Sequence, residues 1–272
     1  MGDTPDSKTV MILFPDFEAI KKEVEKLRTE LSMLFLERDD LLYQECKNIE
    51  MAYMLAVGAL EYKAFELDCM IRRQKRKAEL IQAKKNRQEK ISVTQIDNAL
   101  DVEFAEYQAM LNEQVEKMNA ALERSHGTLL TDEESRELKK LYRAVVKALH
   151  PDLHPDLSDA QTQLFLNAVE AYEHGDLNGL RIISTMVVDP VIPTEKTDGM
   201  TTLMKEKERL SKLLQIIKDR ISEIKSEFPY TMKEFVQNPE KIDARKAELQ
   251  EQINQLTEIL TAYNDKIAEM LR

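Results

Sequence analysis

The chain is poor in the residues that punctuate or staple a fold. It has no Trp, two Cys, six Gly and eight Pro among 272 residues. Two Cys cannot make a disulfide framework. Cys46 and Cys69 both fall inside helical patterns, as small apolar residues of a reducing compartment would. No long apolar run is free of charge. The most apolar stretch, Ile49–Ile71, contains Glu50, Glu61, Lys63, Glu66 and Asp68, too many charges for the roughly 20 residues that cross a bilayer. Val10–Phe14 is too short for the apolar core of a secretory signal and runs into Pro15. A soluble, cytoplasmic protein with no membrane contact is expected. No Walker loop, GxGxxG, GxSxG, CxxC or HExxH occurs, and no catalytic carboxylate pair stands out among the many acidic residues. The chain is expected not to be an enzyme and to need no cofactor.

Charge and helix formers are plentiful. Charged residues make up 33% of the chain, with a net charge of −11, a balance that argues against general nucleic-acid binding. Abundant Glu, Lys, Leu, Ala and Gln with few breakers point to long helices and coiled coil. The fold class read from the sequence is all-α and elongated: a central helical hairpin flanked by antiparallel coiled-coil hairpins.

The expected order is a tail over 1–15, a helical hairpin over 16–127, a compact unit over 128–188, a proline-containing linker over 189–199 and a coiled-coil hairpin over 200–272. In the first hairpin, Phe17, Ile20, Val24, Leu27, Leu31 and Leu34 step by three and four, a heptad seam that Arg38 interrupts. A second helix is expected from about Asp40 to Lys90. Its end, Arg72–Lys90, holds nine Lys/Arg and two Glu, whereas Asp97–Glu116 holds six Asp/Glu and no Lys/Arg. Folding back between them would lay the acidic run along the basic one and fix partner and register. In the last hairpin, Leu203, Leu210, Leu214, Ile217, Ile221, Ile224 and Phe228 form one seam, which Pro229 stops. Asn238-Pro239 starts the next helix, and Leu249, Ile253, Leu256, Leu260, Tyr263, Ile267 and Met270 form its seam. These coiled coils would bind a client protein or make a homodimer.

The central unit carries the one compact, non-periodic signature. Thr131 and Glu134 make a capping box, and the helix they open should run to Leu149. Leu138, Leu141, Tyr142, Val145 and Leu149 mark its apolar face, and Lys139, Arg143 and Lys147, spaced by four, the opposite side. Pro151 ends it, because the residue before a proline is pushed out of helical geometry. Ser158 and Gln161 form a second capping box, opening a helix to about His174 whose inner face holds Phe165, Ala168, Ala171 and Tyr172. Gly175 suits a left-handed C-cap. The two helices should pack antiparallel with His150-Pro151-Asp152 at the tip.

This segment, about residues 130–185, resembles the J-domain of co-chaperones that engage seventy-kilodalton heat-shock chaperones. The resemblance rests on Lys139, Tyr142, Arg143 and Lys147, then His150-Pro151-Asp152, then Phe165 and Glu170-Ala171-Tyr172-Glu173. It implies that Lys139, Arg143 and Lys147 dock on an acidic surface of the chaperone ATPase. It implies too that His150 and Asp152 are essential, Asp152 perturbing the polar network that holds ATP hydrolysis back. Pro151 would set loop shape, and Tyr142 and Phe165 would either flank the contact or simply belong to the core. The chain departs from the family at Leu153 and Leu166, where a basic residue is usual, and lacks the short Tyr-Tyr helix before Thr131. Those departures fit a scaffold or adaptor that keeps the fold without stimulating a chaperone. On residue type alone, His150, Asp152 and His154 could instead hold a metal, as in a metal-dependent hydrolase. Pro151 and Pro155 deny them one helical face, and no Cys or further His lies near them in sequence.

Overall fold

The computed structural model describes residues 15–126, 130–187 and 199–272. The expected tail and the Asp189–Pro193 linker lie outside them. Every regular element described is helical. In order these are α1 (Pro15–Asp40), a π-helical turn (Leu41–Glu45), α2 (Cys46–Tyr53), a second π turn (Met54–Gly58) and α3 (Ala59–Asn86). There follow α4 (Val93–Glu103), α5 (Ala105–His126), α6 (Asp132–Leu149), α7 (Asp159–Glu173), α8 (Leu177–Met186), α9 (Gly199–Ser226), a 3-10 turn (Tyr230–Met232), α10 (Lys233–Val236) and α11 (Pro239–Leu271). None of the described helices is long and apolar enough to cross a membrane. The chain divides into two compact units, Met1–Glu45 with Leu129–Glu227, and Cys46–Thr128 with Phe228–Arg272.

In the first unit α1 and α9 pack along each other. Val24, Leu31 and Phe35 of α1 are buried, as are Leu210, Ile217, Ile221 and Ile224 of α9. Steps of seven, four and three keep each set on one helical stripe. Ion pairs Glu23–Lys207, Glu30–Lys218 and Glu37–Lys225 ascend both helices together, so the pair is parallel. The last two are one heptad apart. Against α1 packs α6, which with α7 and α8 forms a three-helix cluster.

In the second unit α11 runs along α3. Val57, Ala64 and Leu67 meet Leu249 and Ile253, and further along Ala78 and Ile81 meet Ile267. Numbers again rise together, and this pair is also parallel. Helix α4 folds back on α3, its start capped by the Ser92 hydroxyl, which accepts from the Gln95 amide. Its Ile96 and Leu100 complete the second cluster. The opposite charge runs meet as expected over their first turns: Arg73–Asp101 at 2.8 Å, Lys77–Asp97 at 2.7 Å and Arg76–Glu103 at 3.1 Å. Cys46 and Cys69 are both buried thiols.

The expected antiparallel hairpin over 200–272 is not formed from its own two helices. Its first helix takes α1 as partner and its second takes α3, both in parallel. A heptad seam defines a sticky stripe and carries no direction. Orientation comes from the crossovers, which here are long enough to return the chain to its starting end. The first helix runs through Arg38, where its heptad seam was read as interrupted, to Asp40, and the π-helical turn Leu41–Glu45 follows directly.

Candidate functional site

The hairpin of α6 and α7 is built by local signals. At its start Thr131 Oγ1 accepts from the Glu134 amide and Glu134 accepts from the Thr131 amide. At its end His150 N–H still reaches Val146 O at 3.0 Å, while His150 itself has turned to extended geometry, as a residue before proline must. The Leu153 and His154 amides then both donate to His150 O, at 2.9 and 3.0 Å, closing a tight turn. Leu153 is 1% exposed and pins the turn into the core. The Ser158–Gln161 capping box starts α7. Gly175, at φ 68°, ends it, with Asp176 N–H on Ala171 O and Gly175 N–H on Tyr172 O. Those two bonds are the Schellman arrangement that favours glycine at this position.

His150 faces inward. It is 5% exposed and stacks on Phe35 of α1, with centroids 3.6 Å apart and rings 19° from parallel. Phe165 meets it edge-on at 5.0 Å. Nδ1 accepts the Asp152 amide at 3.1 Å, which places the proton on Nε2. Burial, reinforced by the nearby Arg38 and His154, lowers its pKa to about 3. The Asp152 carboxylate lies 3.9 Å from Nδ1, but a neutral ring with that lone pair already used makes no ion pair.

Above the ordinary imidazole value of about 6.5 the ring is neutral folded or unfolded, and stability is unaffected. As pH falls below that value the unfolded chain takes up a proton that the fold refuses, down to about pH 3. Stability is therefore lost on acidification, by up to about 2 kcal/mol between pH 7.5 and 5 from this group. Asp39 acts in the opposite sense. Burial raises its carboxyl pKa, with Arg38 and Tyr142 opposing, so its charged form costs stability as pH rises through that value. The expected direct reading is an NMR titration in which the His150 ring stays silent from pH 8 to 4. A ring titrating near its ordinary value would contradict the burial.

Beside the histidine, the end of α1 carries a polar set. Tyr142 and Tyr172 stack at 4.1 Å and 8°. Tyr142 OH donates to Asp39 Oδ2 at 2.7 Å and Tyr172 OH to Asp40 Oδ1 at 3.0 Å. Arg38 Nε donates to Asp39 Oδ1 at 2.7 Å. Burial and the adjacent carboxylates push both phenol pKa values up. Lys139 Nζ lies 2.8 Å from Asp40.

The residues singled out in the sequence thus divide. Tyr142 and Phe165, for which a place beside the contact or in the core was open, are core residues at 0% and 6% exposure, and His150 joins them. Lys139 is exposed but held by Asp40. Pro151, Asp152, Arg143 and Lys147 are exposed, the Asp152 side chain at 52%. Arg136 and Lys140 extend the basic stripe; at three- and four-residue steps from Arg143 and Lys147 they lie along one side of the helix. No carboxylate of the described residues lies within 4.0 Å of Arg136, Lys140, Arg143 or Lys147. Sequence reading also missed Phe35, Asp39 and Arg209, which reach the hairpin from outside its own sequence.

His154 Nε2 sits 2.8 Å from Lys147 O, capping the last turn of α6. No group of three or more His, Cys, Asp or Glu side chains among the described residues is placed to share a metal ion. The chain matches no family model, no curated protein and no solved structure in comparisons with each.

Proposed function

We propose that the chain is a co-chaperone of the J-domain type, docking on a seventy-kilodalton heat-shock chaperone and stimulating its ATP hydrolysis. The observation that carries this reading is the division of labour at the tip. His150 is turned in and holds the loop, Pro151 closes it, and the Asp152 carboxylate stands in solvent just past a stripe of four cations. A carboxylate on a preformed loop loses little freedom when it docks. The cations of α6 supply steering toward an acidic surface. The coiled-coil pairs are left to hold a client or a second copy. Their main seams are already filled within the chain, so either would use outward-facing residues.

A scaffold that keeps the hairpin without stimulating a chaperone is the second reading. Lys139, one of three cations the resemblance assigns to docking, is engaged by Asp40, and α1 packs directly on α6.

The two readings part on a binding measurement with a seventy-kilodalton chaperone from the same cell. Arg143→Glu reverses an exposed charge that has no carboxylate within 4.0 Å among the described residues, so the fold should be retained. Its affinity is expected to fall by roughly tenfold at low salt and by less at high salt, where screening shortens the reach of each charge. Affinity equal to wild type at low salt, or no binding by either protein, favours the scaffold.

A further inference from the structure

The tip is not held by its own hairpin alone. Two helices from distant parts of the sequence contact it, one at the His150 ring and one at the Asp152 carbonyl. From α1 comes Phe35, whose ring carries His150. From α9 comes Arg209, whose Nη1 donates to the backbone carbonyl of Asp152 at 2.7 Å. The guanidinium cannot swing freely. Its Nε and Nη2 both bond Glu206, at 2.8 and 3.0 Å. Glu206 Oε1 also accepts Arg28 Nη2 of α1 at 3.0 Å. A planar fork bonded on two sides has its third direction fixed, which a lysine's single ammonium would not reproduce. The carbonyl it meets belongs to the residue whose side chain points into solvent. The same residue's amide is held by His150 Nδ1. Both backbone polar groups of Asp152 are therefore fixed, while its carboxylate is half exposed, accepts no hydrogen bond among the described residues and feels the Arg209 charge.

We propose that Arg209 is a positioning residue for the Asp152 carboxylate, through which the α1–α9 pair sets the conformation of the docking tip. This deepens the co-chaperone reading and rests on it for its functional half. The clamp itself stands on geometry alone. Glu206 and Arg28 serve the clamp by fixing the guanidinium plane. The pairing of α1 with α9 is then a condition of tip geometry. It also supplies, from remote sequence, a support that the hairpin does not carry within itself.

The test uses the full chain as wild type, Arg209→Met and Arg209→Lys. Methionine keeps the unbranched stem and the helix propensity, and the seam residues of α9 are untouched. Hydrogen exchange at the Leu153 and His154 amides, both bonded to His150 O, reads the tip. Arg209→Met is expected to speed that exchange by about tenfold, with Arg209→Lys between the two. Chaperone ATP hydrolysis, titrated with each protein, reads the consequence. Arg209→Met is expected to lower maximal stimulation several-fold while the half-saturating concentration moves less than about twofold, because the cations of α6 that set encounter are intact. Arg143→Glu should show the reverse pattern. Unchanged exchange at Leu153 and His154 overturns the clamp. Faster exchange with undiminished maximal stimulation overturns the positioning role. If the wild-type chain stimulates no chaperone, the co-chaperone reading and the positioning role with it are overturned, and exchange alone decides whether the clamp exists.

Discussion

Replacing Phe35 with alanine is expected to cost the Met1–Glu45/Leu129–Glu227 unit about 3–5 kcal/mol, the usual penalty for emptying a buried phenylalanine site. Phe35 is fully buried between the α1–α9 seam and the hairpin, and lies against His150 at 3.6 Å. The Arg38 guanidinium is 5.0 Å from its centroid. Truncation removes apolar area, an aromatic stack and a cation–π contact together, and neither neighbouring helix can close the gap without dragging its partner. It also opens His150 to water. The imidazole value of about 3 should then climb toward the ordinary value of about 6.5, and the silent ring should begin to titrate. Hydrogen exchange of α6 amides reads the first effect and NMR of the His150 ring the second. Phe35→Leu, which keeps most of the volume, should cost about 1.5 kcal/mol or less. A Phe35→Ala protein within about 1 kcal/mol of wild type, its His150 still silent, would show that the stack does not support the tip.

What the sequence made legible was local. Both capping boxes, the left-handed Gly175 and the Asn238-Pro239 start depend on residues three or four apart, and all are found as read. The α11 seam was legible because one stripe of large apolar residues recurs without interruption. The basic and acidic runs of α3 and α4 were legible because a short turn leaves them no other neighbour. Partner choice was not. Two good seams at the end of the chain look like a hairpin, and nothing in a heptad shows that α1 and α3 compete for them. The inward turn of His150 was hidden for a related reason. Leu34 and Phe35 both continue the α1 stripe within one step, and only packing chooses Phe35 as the buried one. Lys139 was assigned to the solvent side of a two-helix hairpin, which holds until a third layer, α1 with Asp40, covers part of that side. Arg209 gave no signal at all, since one arginine on a charged helix looks like any other.

Asp152→Asn is expected to abolish stimulation of the chaperone ATPase while leaving the fold as it is. The substitution is isosteric, and the side chain is half exposed. Among the described residues Asp152 is hydrogen-bonded through its backbone, its amide on His150 and its carbonyl on Arg209, and its half-exposed carboxylate meets Arg209 only through a screened charge interaction. Stability should stay within about 0.5 kcal/mol of wild type, as for surface positions without special contacts. What disappears is the negative charge at the end of a cationic stripe, the group that the resemblance to J-domains makes responsible for releasing ATP hydrolysis. The cations remain, so encounter with an acidic surface should persist, and the loss should fall on the maximal rate. Arg143→Glu should instead fall on affinity, and the two variants separate docking from triggering.

The most direct measurement is single-turnover ATP hydrolysis by a seventy-kilodalton chaperone from the same cell, with and without the full chain and its Asp152→Asn variant. The expected result is acceleration of about tenfold or more by the wild-type chain, a barrier lowered by at least about 1.4 kcal/mol, and none by the variant. Equal acceleration by both proteins, or by neither, would contradict a tip that works through its exposed carboxylate.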